Sequence, residues 1–186
     1  EITDFFLSHG IHVLVEKPIT DNVKTAQKLL ENDENNNLIL LIGHLERFIP
    51  CIQSITNILE YRLLDFKIKH IVAMRLTQFN TRANDVSVVT DLMIHDIDLA
   101  NFFLKSSMKL VQSRNSNVLH KSNDTSSALL TFANSTTASL YANRVAKDPM
   151  RQFELYGDKE VFTLDLNRKT IHHTKFISKN DLLRPT

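Results

Sequence analysis

The stretch Ile11-His-Val-Leu-Val-Glu-Lys-Pro18 decides the fold class at the beginning of the chain. Its apolar and β-branched residues predict a parallel strand that is buried on both faces and is ended by a charged pair and a proline. A helical pattern follows, with Thr20 as its predicted N-cap, and the polar residues 31–37 predict a loop. A second apolar run at 38–42 predicts the next buried strand. This order predicts one right-handed βαβ unit.

Beyond Gly43 the pattern becomes strand-rich. Hydrophobic periodicity predicts helices at 50–61 and 88–104, and strands at 67–79, 126–132, 136–144, 151–156 and 161–166. Ser87 is the predicted N-cap of the second helix. Asn134-Ser135 and Gly157-Asp158 predict two hairpin turns, which favour antiparallel pairing in this part of the chain.

The predicted fold class is therefore α/β. Residues 1–47 are expected to be the end of a parallel-sheet domain, and residues 48–186 an α+β domain with an open, mostly antiparallel sheet. Only three glycines occur, Gly10, Gly43 and Gly157, and no two are close together, so these residues lack a phosphate-cradling glycine loop. The chain also opens in what reads as the middle of a helix, so we expect it to be an internal fragment of a longer protein.

Composition excludes several classes of protein. The chain has 22 basic and 21 acidic residues spread along its length, so no basic stripe predicts a nucleic-acid partner. No apolar run approaches the roughly 20 residues of a membrane helix, so no membrane partner is expected. Cys51 is the single cysteine, which rules out an internal disulfide and predicts a reducing, cytoplasmic location.

The predicted helix at 88–104 carries the strongest chemical signal. At about 100° per residue, Asp91, His95 and Asp98 share one narrow sector of a helix whose other sides are mostly apolar. This row is interpreted either as the floor of a polar pocket or as a satisfied internal network or exposed stripe. Asp96 points toward an apolar side, and the sequence does not assign its partner.

Three other groups could carry chemistry. Lys17 follows a parallel strand at its carboxyl end, where open α/β sheets bind ligands, although a solvated loop charge is the alternative. His44 and Glu46 follow the second strand, but no local HxxxH or CxxC spacing accompanies them, so no metal site is predicted. Cys51 has no evident paired base, so we do not expect a nucleophile.

Three short motifs follow one another in the chain: Glu16-Lys17-Pro18, Gly43-His-Leu-Glu-Arg-Phe-Ile-Pro50 and Asp91-Leu-Met-Ile-His-Asp-Ile-Asp98. Their order and spacing resemble the Gfo/Idh/MocA family of nicotinamide-dependent sugar oxidoreductases. The resemblance implies that residues 1–47 are the C-terminal part of a Rossmann-type dinucleotide-binding domain and that residues 48–186 form a substrate-binding and oligomerisation domain. The resemblance implies NAD or NADP as the cofactor. These residues do not distinguish between the two, because they lack the family's glycine-rich loop.

The resemblance also implies an activity. The expected reaction is hydride transfer from a secondary hydroxyl of a sugar, and the second and third motifs look most like the nucleotide-sugar branch, with position 3 of UDP-N-acetylglucosamine as one expected substrate site. The alternative is a non-catalytic or truncated relative that binds a sugar or nucleotide. The resemblance further implies a homo-oligomer formed through the outer face of the open sheet.

Residue roles are carried over by motif. His95 is the expected general base, because a neutral imidazole accepts a proton near neutral pH, and Lys17 is expected to bind the same oxygen. Asp91 is expected to orient the imidazole or to bind a neighbouring hydroxyl. The expected cofactor-side residues are Glu16, Lys17, Pro18 and His44. The expected substrate contacts are Asp91, His95, Arg47 and Arg144, with structural ion pairing as the alternative for either arginine.

Overall fold

The computed structural model describes residues 2–61, 66–80, 86–176 and 184–185, with the backbone alone for 32–36 and 184–185. The chain packs as two compact units, Glu1–Leu45 and Glu46–Thr186. The predicted domain boundary, after residue 47, lies two residues beyond this division. In the part that the structure describes, no helix is long and apolar enough to cross a membrane.

The first unit contains the βαβ element. Its helices and strands are α1 (Ile2–Ser8), β1 (Val13–Val15), α2 (Val23–Asn36) and β2 (Leu40–Ile42). The two strands pair in parallel, with Val13 opposite Leu40 and Val15 opposite Ile42. The predicted strand, helix and strand are therefore confirmed, although both strands are shorter than the apolar runs that predicted them.

The helix α2 differs from its prediction at both ends. Asn22 caps it, since the Asn22 side-chain oxygen accepts the Thr25 amide at 2.9 Å, whereas the Thr20 hydroxyl bonds to the Asn22 carbonyl. The predicted polar loop at 31–37 was wrong, because the helix continues to Asn36. That segment holds no glycine or proline to stop a helix, and the end comes at Asn37, which adopts a left-handed φ of 51°.

The burial predicted for both faces of β1 and β2 is not present in this unit. Leu14 is 70% exposed and Leu41 is 57% exposed, and these two residues lie side by side in the parallel register. The neighbours of Leu14 in β1, Val13 and Val15, are half-buried. The described residues of the unit therefore cover one face of the strand pair.

The second unit is built on an eight-stranded sheet. Its elements after the 3-10 turn Leu45–Phe48 are α3 (Pro50–Tyr61), β3 (His70–Leu76), a π-helical turn (Val89–Met93), α4 (Ile94–Leu104), β4 (Met108–Ser116), β5 (Thr125–Phe132), β6 (Thr137–Asn143), β7 (Met150–Tyr156), β8 (Glu160–Asp165), β9 (Thr170–Lys175) and β10 (Arg184–Pro185). The strand order is β10-β9-β8-β7-β3-β6-β5-β4. The pair β3 and β6 is parallel and the other neighbours are antiparallel, which confirms the predicted fold class.

The core lies on one face of this sheet. Inward residues of β3 such as Ile71 and Ala73 are almost fully buried, as are Ile52 and Ile55 of α3 and Leu99 of α4. Alternation along β3 leaves the opposite face half-buried, as expected for a sheet with helices on one side only. The sheet therefore presents a second, open face.

Both predicted hairpins are confirmed. Ser135 adopts a left-handed φ of 66° between β5 and β6, and the amide of Ser135 bonds to the Phe132 carbonyl at 3.0 Å. Between β7 and β8, Gly157 leaves room for the ring of Phe66, because a Cβ at this position would lie 2.4 Å from that ring. Gly157 is thus required for packing at this turn.

Candidate active site

The segment that carries Asp91 and His95 is not a continuous α-helix. Asp91 lies in the π-helical turn Val89–Met93, and His95 lies in the first turn of α4. Both side chains are half-buried. The wider turn changes the angle between the two residues from the one that an α-helical period predicts, and π-turns of this kind are frequent at functional sites.

The start of this segment is held by Ser87. Its hydroxyl accepts the Val89 amide at 3.2 Å, and its carbonyl accepts the Asp91 amide at 3.0 Å. The residue at the N-cap position is Val88, whose backbone is helical and whose side chain makes no capping hydrogen bond. Ser87 was the predicted N-cap, but it supports the entry into the turn from one residue before the N-cap that the structure shows.

A buried ionic cluster lies beside His95. Arg75, which is 1% exposed, donates from Nε and Nη2 to the two oxygens of Asp96 at 3.0 and 2.8 Å. Its Nη1 donates to Oε1 of Glu46 at 2.9 Å. The sequence left Asp96 without a partner, and the structure supplies Arg75 as that partner. We call Arg75, Asp96 and Glu46 the ionic cluster.

Burial and ion pairing act in opposite directions on the pKa of each member of the ionic cluster. Burial by itself would raise the pKa of Glu46, but Arg75, with smaller contributions from His95 and Arg151, brings the net pKa below its usual value. Burial also opposes the charge of Arg75, but the two carboxylates outweigh it and raise the pKa of this guanidinium. Burial raises the pKa of Asp96, and Arg75 opposes that rise. Glu46 and His95 are thus close enough to interact electrostatically.

Asp98 does not extend the row of Asp91 and His95 as an unpaired carboxylate. Both of its oxygens accept from Arg47, from Nε at 2.8 Å and from Nη2 at shorter range, and this pairing raises the pKa of Arg47. The Arg47 guanidinium also lies over the Phe102 ring at 5.3 Å from its centre. These contacts fit the structural ion pair that was the alternative for Arg47 rather than a substrate contact.

Arg144 is 4% exposed and makes contacts typical of a structural residue. Its Nη2 donates to the Asn123 carbonyl at 2.9 Å and to the Val86 carbonyl at shorter range, and its Nε lies 3.8 Å from Oδ1 of Asp124. Val86 precedes the π-turn that holds Asp91. Arg144 therefore ties the loop at 123–124 to the entry of the site segment.

The first unit places a second set of candidates at the carboxyl ends of β1 and β2. Lys17 is half-buried, while Glu16 and Pro18 are exposed and joined to it in the same loop. His44 is half-buried after β2 and follows Gly43. A Cβ on Gly43 would lie 3.0 Å from Oε2 of Glu16, so the glycine permits the close approach of these two loops.

These residues fit a dinucleotide at the end of a parallel sheet. Ligands of open α/β sheets bind beyond the carboxyl ends of the strands, where Lys17 and His44 supply polar side chains. Polar side chains at this edge of the parallel strand pair are compatible with a dinucleotide.

Metal binding and thiol catalysis are not indicated by the residues that the structure describes. Within the described ranges, no three His, Cys, Asp or Glu side chains are grouped so that they could hold a metal ion. Cys51 is buried and free, and burial raises the pKa of its thiol, which disfavours a nucleophilic thiolate.

Comparison with known families identifies the class of protein. Residues 63–163, more than half of the chain, match the GFO/IDH/MocA C-terminal domain. Residues 1–44 match the oxidoreductase family with an NAD-binding Rossmann fold. The chain belongs to the Gfo/Idh/MocA oxidoreductase family, whose N-terminal domain is described as NAD-binding.

Particular relatives agree with this assignment. The chain is 30% identical over 172 residues to UDP-N-acetylglucosamine 3-dehydrogenase of Acidithiobacillus ferrooxidans, covering 92% of this chain and 53% of that protein. A solved structure of the enzyme of that name from the same organism has a TM-score of 0.88 at 27% identity, covering all of this chain and 58% of the other. The chain thus spans about half the length of these relatives.

More distant structures share the fold alone. Levoglucosan dehydrogenase in complex with NADH has a TM-score of 0.85 at 16% identity, covering 100% of this chain and 56% of the other. An inositol dehydrogenase homologue of Azotobacter vinelandii, in complex with NADH and myo-inositol, has a TM-score of 0.85 at 14% identity, covering 100% of this chain and 52% of the other. The shared architecture therefore extends across enzymes named for different sugars.

Proposed function

We propose that the full-length protein is an NAD(P)-dependent oxidoreductase that oxidises a secondary hydroxyl of a sugar or nucleotide sugar. One observation carries the proposal: His95, in the first turn of α4, is half-buried beside the ionic cluster and one turn after Asp91. An imidazole in such a setting suits proton transfer near neutral pH. A bound nicotinamide would accept the hydride.

The residues of this chain then have separate tasks. His95 takes the proton from the substrate hydroxyl, and Asp91 orients the imidazole or binds a neighbouring hydroxyl. Lys17 donates a hydrogen bond to the reacting oxygen and stabilises the negative charge that develops on it. Glu16, Pro18 and His44 lie with Lys17 at the strand ends that fit the cofactor, and we propose that they line it.

Position 3 of UDP-N-acetylglucosamine is the substrate site that we propose first. Support comes from the 30% identity to a relative of that name, which exceeds the 14–16% identity to the levoglucosan and inositol enzymes. Arg47 and Arg144 were candidates for contacts with this substrate. Because both are engaged with carboxylates or backbone carbonyls, we propose that they support the site rather than bind the diphosphate.

Two further features accompany the proposal. We propose a homo-oligomer formed through the open face of the sheet, where Leu110 is 52% and Leu129 is 40% exposed. Light scattering of the full-length protein measures its mass, and a monomer would remove this part of the proposal.

We also propose a cytoplasmic location, supported by the free, buried thiol of Cys51 and checked by cell fractionation.

The variant His95→Asn tests the function. In the full-length protein we expect turnover of UDP-N-acetylglucosamine to fall by about 10²–10⁴-fold, because the general base is lost, while NAD binding is retained. The matched control is His172→Asn on β9, an exposed histidine that should leave turnover unchanged.

Three results would contradict the proposal in different ways. Near-normal turnover in His95→Asn would remove His95 from catalysis. Binding of the nucleotide sugar without any reduction of NAD by the wild-type protein would favour the non-catalytic alternative. Turnover of other sugars, with none of UDP-N-acetylglucosamine, would keep the reaction and change the substrate.

A further inference from the structure

The two oxygens of the Glu46 carboxylate are in unequal positions. Oε1 accepts from Arg75 at 2.9 Å and lies 3.9 Å from the Arg151 guanidinium. Oε2 is fully buried and, among the residues that the structure describes, has no hydrogen-bond partner. A buried carboxylate oxygen without a donor is costly, so its retention calls for a functional explanation.

Arg75 does not neutralise Glu46 and Asp96 equally. Asp96 receives two hydrogen bonds from Arg75 in a fork, and Glu46 receives one. Arg151 is 42% exposed, so solvent screens its effect on Glu46. Glu46 therefore accepts fewer hydrogen bonds from Arg75 than Asp96 does, and its lowered pKa keeps its carboxylate charged.

His95 lies within the field of that charge. It is adjacent in sequence to Asp96, and it interacts electrostatically with Glu46. Asp91 and Asp96 lie on the same segment as His95, and three further charged groups lie in or beside the ionic cluster: Glu46 on the 3-10 turn, Arg75 on β3 and Arg151 on β7. Of these, Glu46 combines burial with an oxygen that no described donor satisfies.

We propose that Glu46 is a positioning residue for His95, whose buried carboxylate stabilises the imidazolium that forms when His95 takes the hydroxyl proton. The step breaks the O–H bond of the substrate and forms an N–H bond on the imidazole, so the positive charge appears next to Glu46. Arg75 and Asp96 hold the carboxylate in place. This inference rests on the proposed function, because it assigns His95 the role of base.

The test is the pKa of His95 in the full-length protein, measured by NMR titration of its imidazole, together with the pH profile of kcat/KM. In Glu46→Gln we expect the pKa of His95 and the acid limb of the profile to fall by about one pH unit, and kcat to fall about tenfold. The direction follows because removing a negative charge destabilises the imidazolium. A merely structural role would lower kcat without moving the limb.

A second variant should shift the pKa of His95 in the opposite direction. Arg151→Gln removes a half-exposed positive charge next to Glu46, so the pKa of His95 should rise, and this substitution at a partly solvated site keeps the test open if Glu46→Gln does not fold. The matched control is Glu160→Gln. Glu160 is 6% exposed and pairs with His173 and Lys175 on β9, so its loss should leave His95 unchanged.

The outcomes separate this inference from the proposed function. An unchanged His95 pKa in both Glu46→Gln and Arg151→Gln would overturn the positioning role, even if the wild-type protein oxidises its substrate. A wild-type protein that reduces no NAD would overturn the proposed function and, with it, the catalytic meaning of Glu46. Opposite shifts in the two variants, with turnover in the wild type, support both.

Discussion

Arg75 and Arg144 are two buried arginines, one in β3 and one just after the neighbouring parallel strand β6, and their contacts differ in kind. Arg75 lies in β3 and Arg144 lies one residue beyond β6, and they are 1% and 4% exposed. Arg75 binds two carboxylates, whereas Arg144 donates mainly to backbone carbonyls. Arg75 therefore holds the two carboxylates of the ionic cluster, and Arg144 fixes the path of the chain that leads to Asp91.

This difference shows that the segment carrying Asp91 and His95 is supported at two points, one on each side of the π-turn. Arg144 acts before the π-turn, through the carbonyl of Val86, and its role is mechanical. Arg75 acts at the first turn of α4, through Asp96, and its role is electrostatic as well as mechanical. Loss of Arg144 should lower the free energy of unfolding through the hydrogen bonds that it makes. Loss of Arg75 should leave two buried carboxylates without a counter-charge.

The largest effect is expected for Arg75→Met. Removing this guanidinium leaves the carboxylates of Asp96 and Glu46 buried without a counter-charge, so the free energy of unfolding should fall by about 3–5 kcal/mol. Urea unfolding of the full-length protein measures it. The triple variant Arg75→Met, Asp96→Leu, Glu46→Leu is the control and should recover most of that stability. A loss below about 1 kcal/mol in Arg75→Met would show that the cluster is solvated.

A smaller effect is expected for Arg144→Gln. The variant loses the hydrogen bonds to the Val86 and Asn123 carbonyls and the guanidinium near Oδ1 of Asp124, but Oδ2 of Asp124 keeps three backbone donors. The free energy of unfolding should fall by about 1–3 kcal/mol. Hydrogen exchange of residues 86–93 should rise with it. Equal losses in Arg75→Met and Arg144→Gln would remove the distinction between the two arginines.

The smallest effect is expected for Asp124→Asn, and it concerns the stability of the protein in acid. Burial would raise the pKa of Asp124, but amides of Val118, Leu119 and His120 outweigh it and lower the net pKa. A lowered folded-state pKa stabilises the protein above the unfolded value of about 3.9, and this contribution is lost as pH falls through the folded pKa.

Asp124→Asn should therefore cost about 1 kcal/mol at neutral pH, because its hydrogen bonds lose their charge assistance. It should also reduce the slope of stability against pH below about 4, as measured by urea unfolding at several pH values. A slope equal to that of the wild type would mean that Asp124 is not among the groups that titrate on unfolding.

Local patterns predicted most of the fold. Alternation and turn residues identified β3, β5, β6, β7 and β8 and both hairpins, because these features depend on neighbours in sequence, whereas β4 and β9 were not among the predicted strands. The continuation of α2 through 31–36 was missed because polar residues are equally compatible with a loop and with the solvated side of a helix. The π-turn was missed because a period of about 3.6 residues carries no signal for one wider turn.

The sequence indicated candidate site residues but not the ion pairs that several of them make. Asp96 was recognised as an acid on an apolar side, but its partner is 21 positions away, and Glu46 lies 29 positions from Arg75. One signal was available: Arg75 continues the inward series Ile71 and Ala73 of β3, and an arginine at a buried strand position requires carboxylates nearby. Neither Arg47 nor Arg144 could be assigned from sequence spacing alone.

The most direct test of the account follows an isotope. Full-length protein is given NAD and UDP-N-acetylglucosamine that carries deuterium at carbon 3, and the reduced cofactor is analysed by mass spectrometry. The account predicts that the deuterium appears in the reduced nicotinamide and that a 3-keto sugar forms at the same rate. Reduced nicotinamide without deuterium, or no reduction with this substrate at any pH at which the protein is folded, would contradict it.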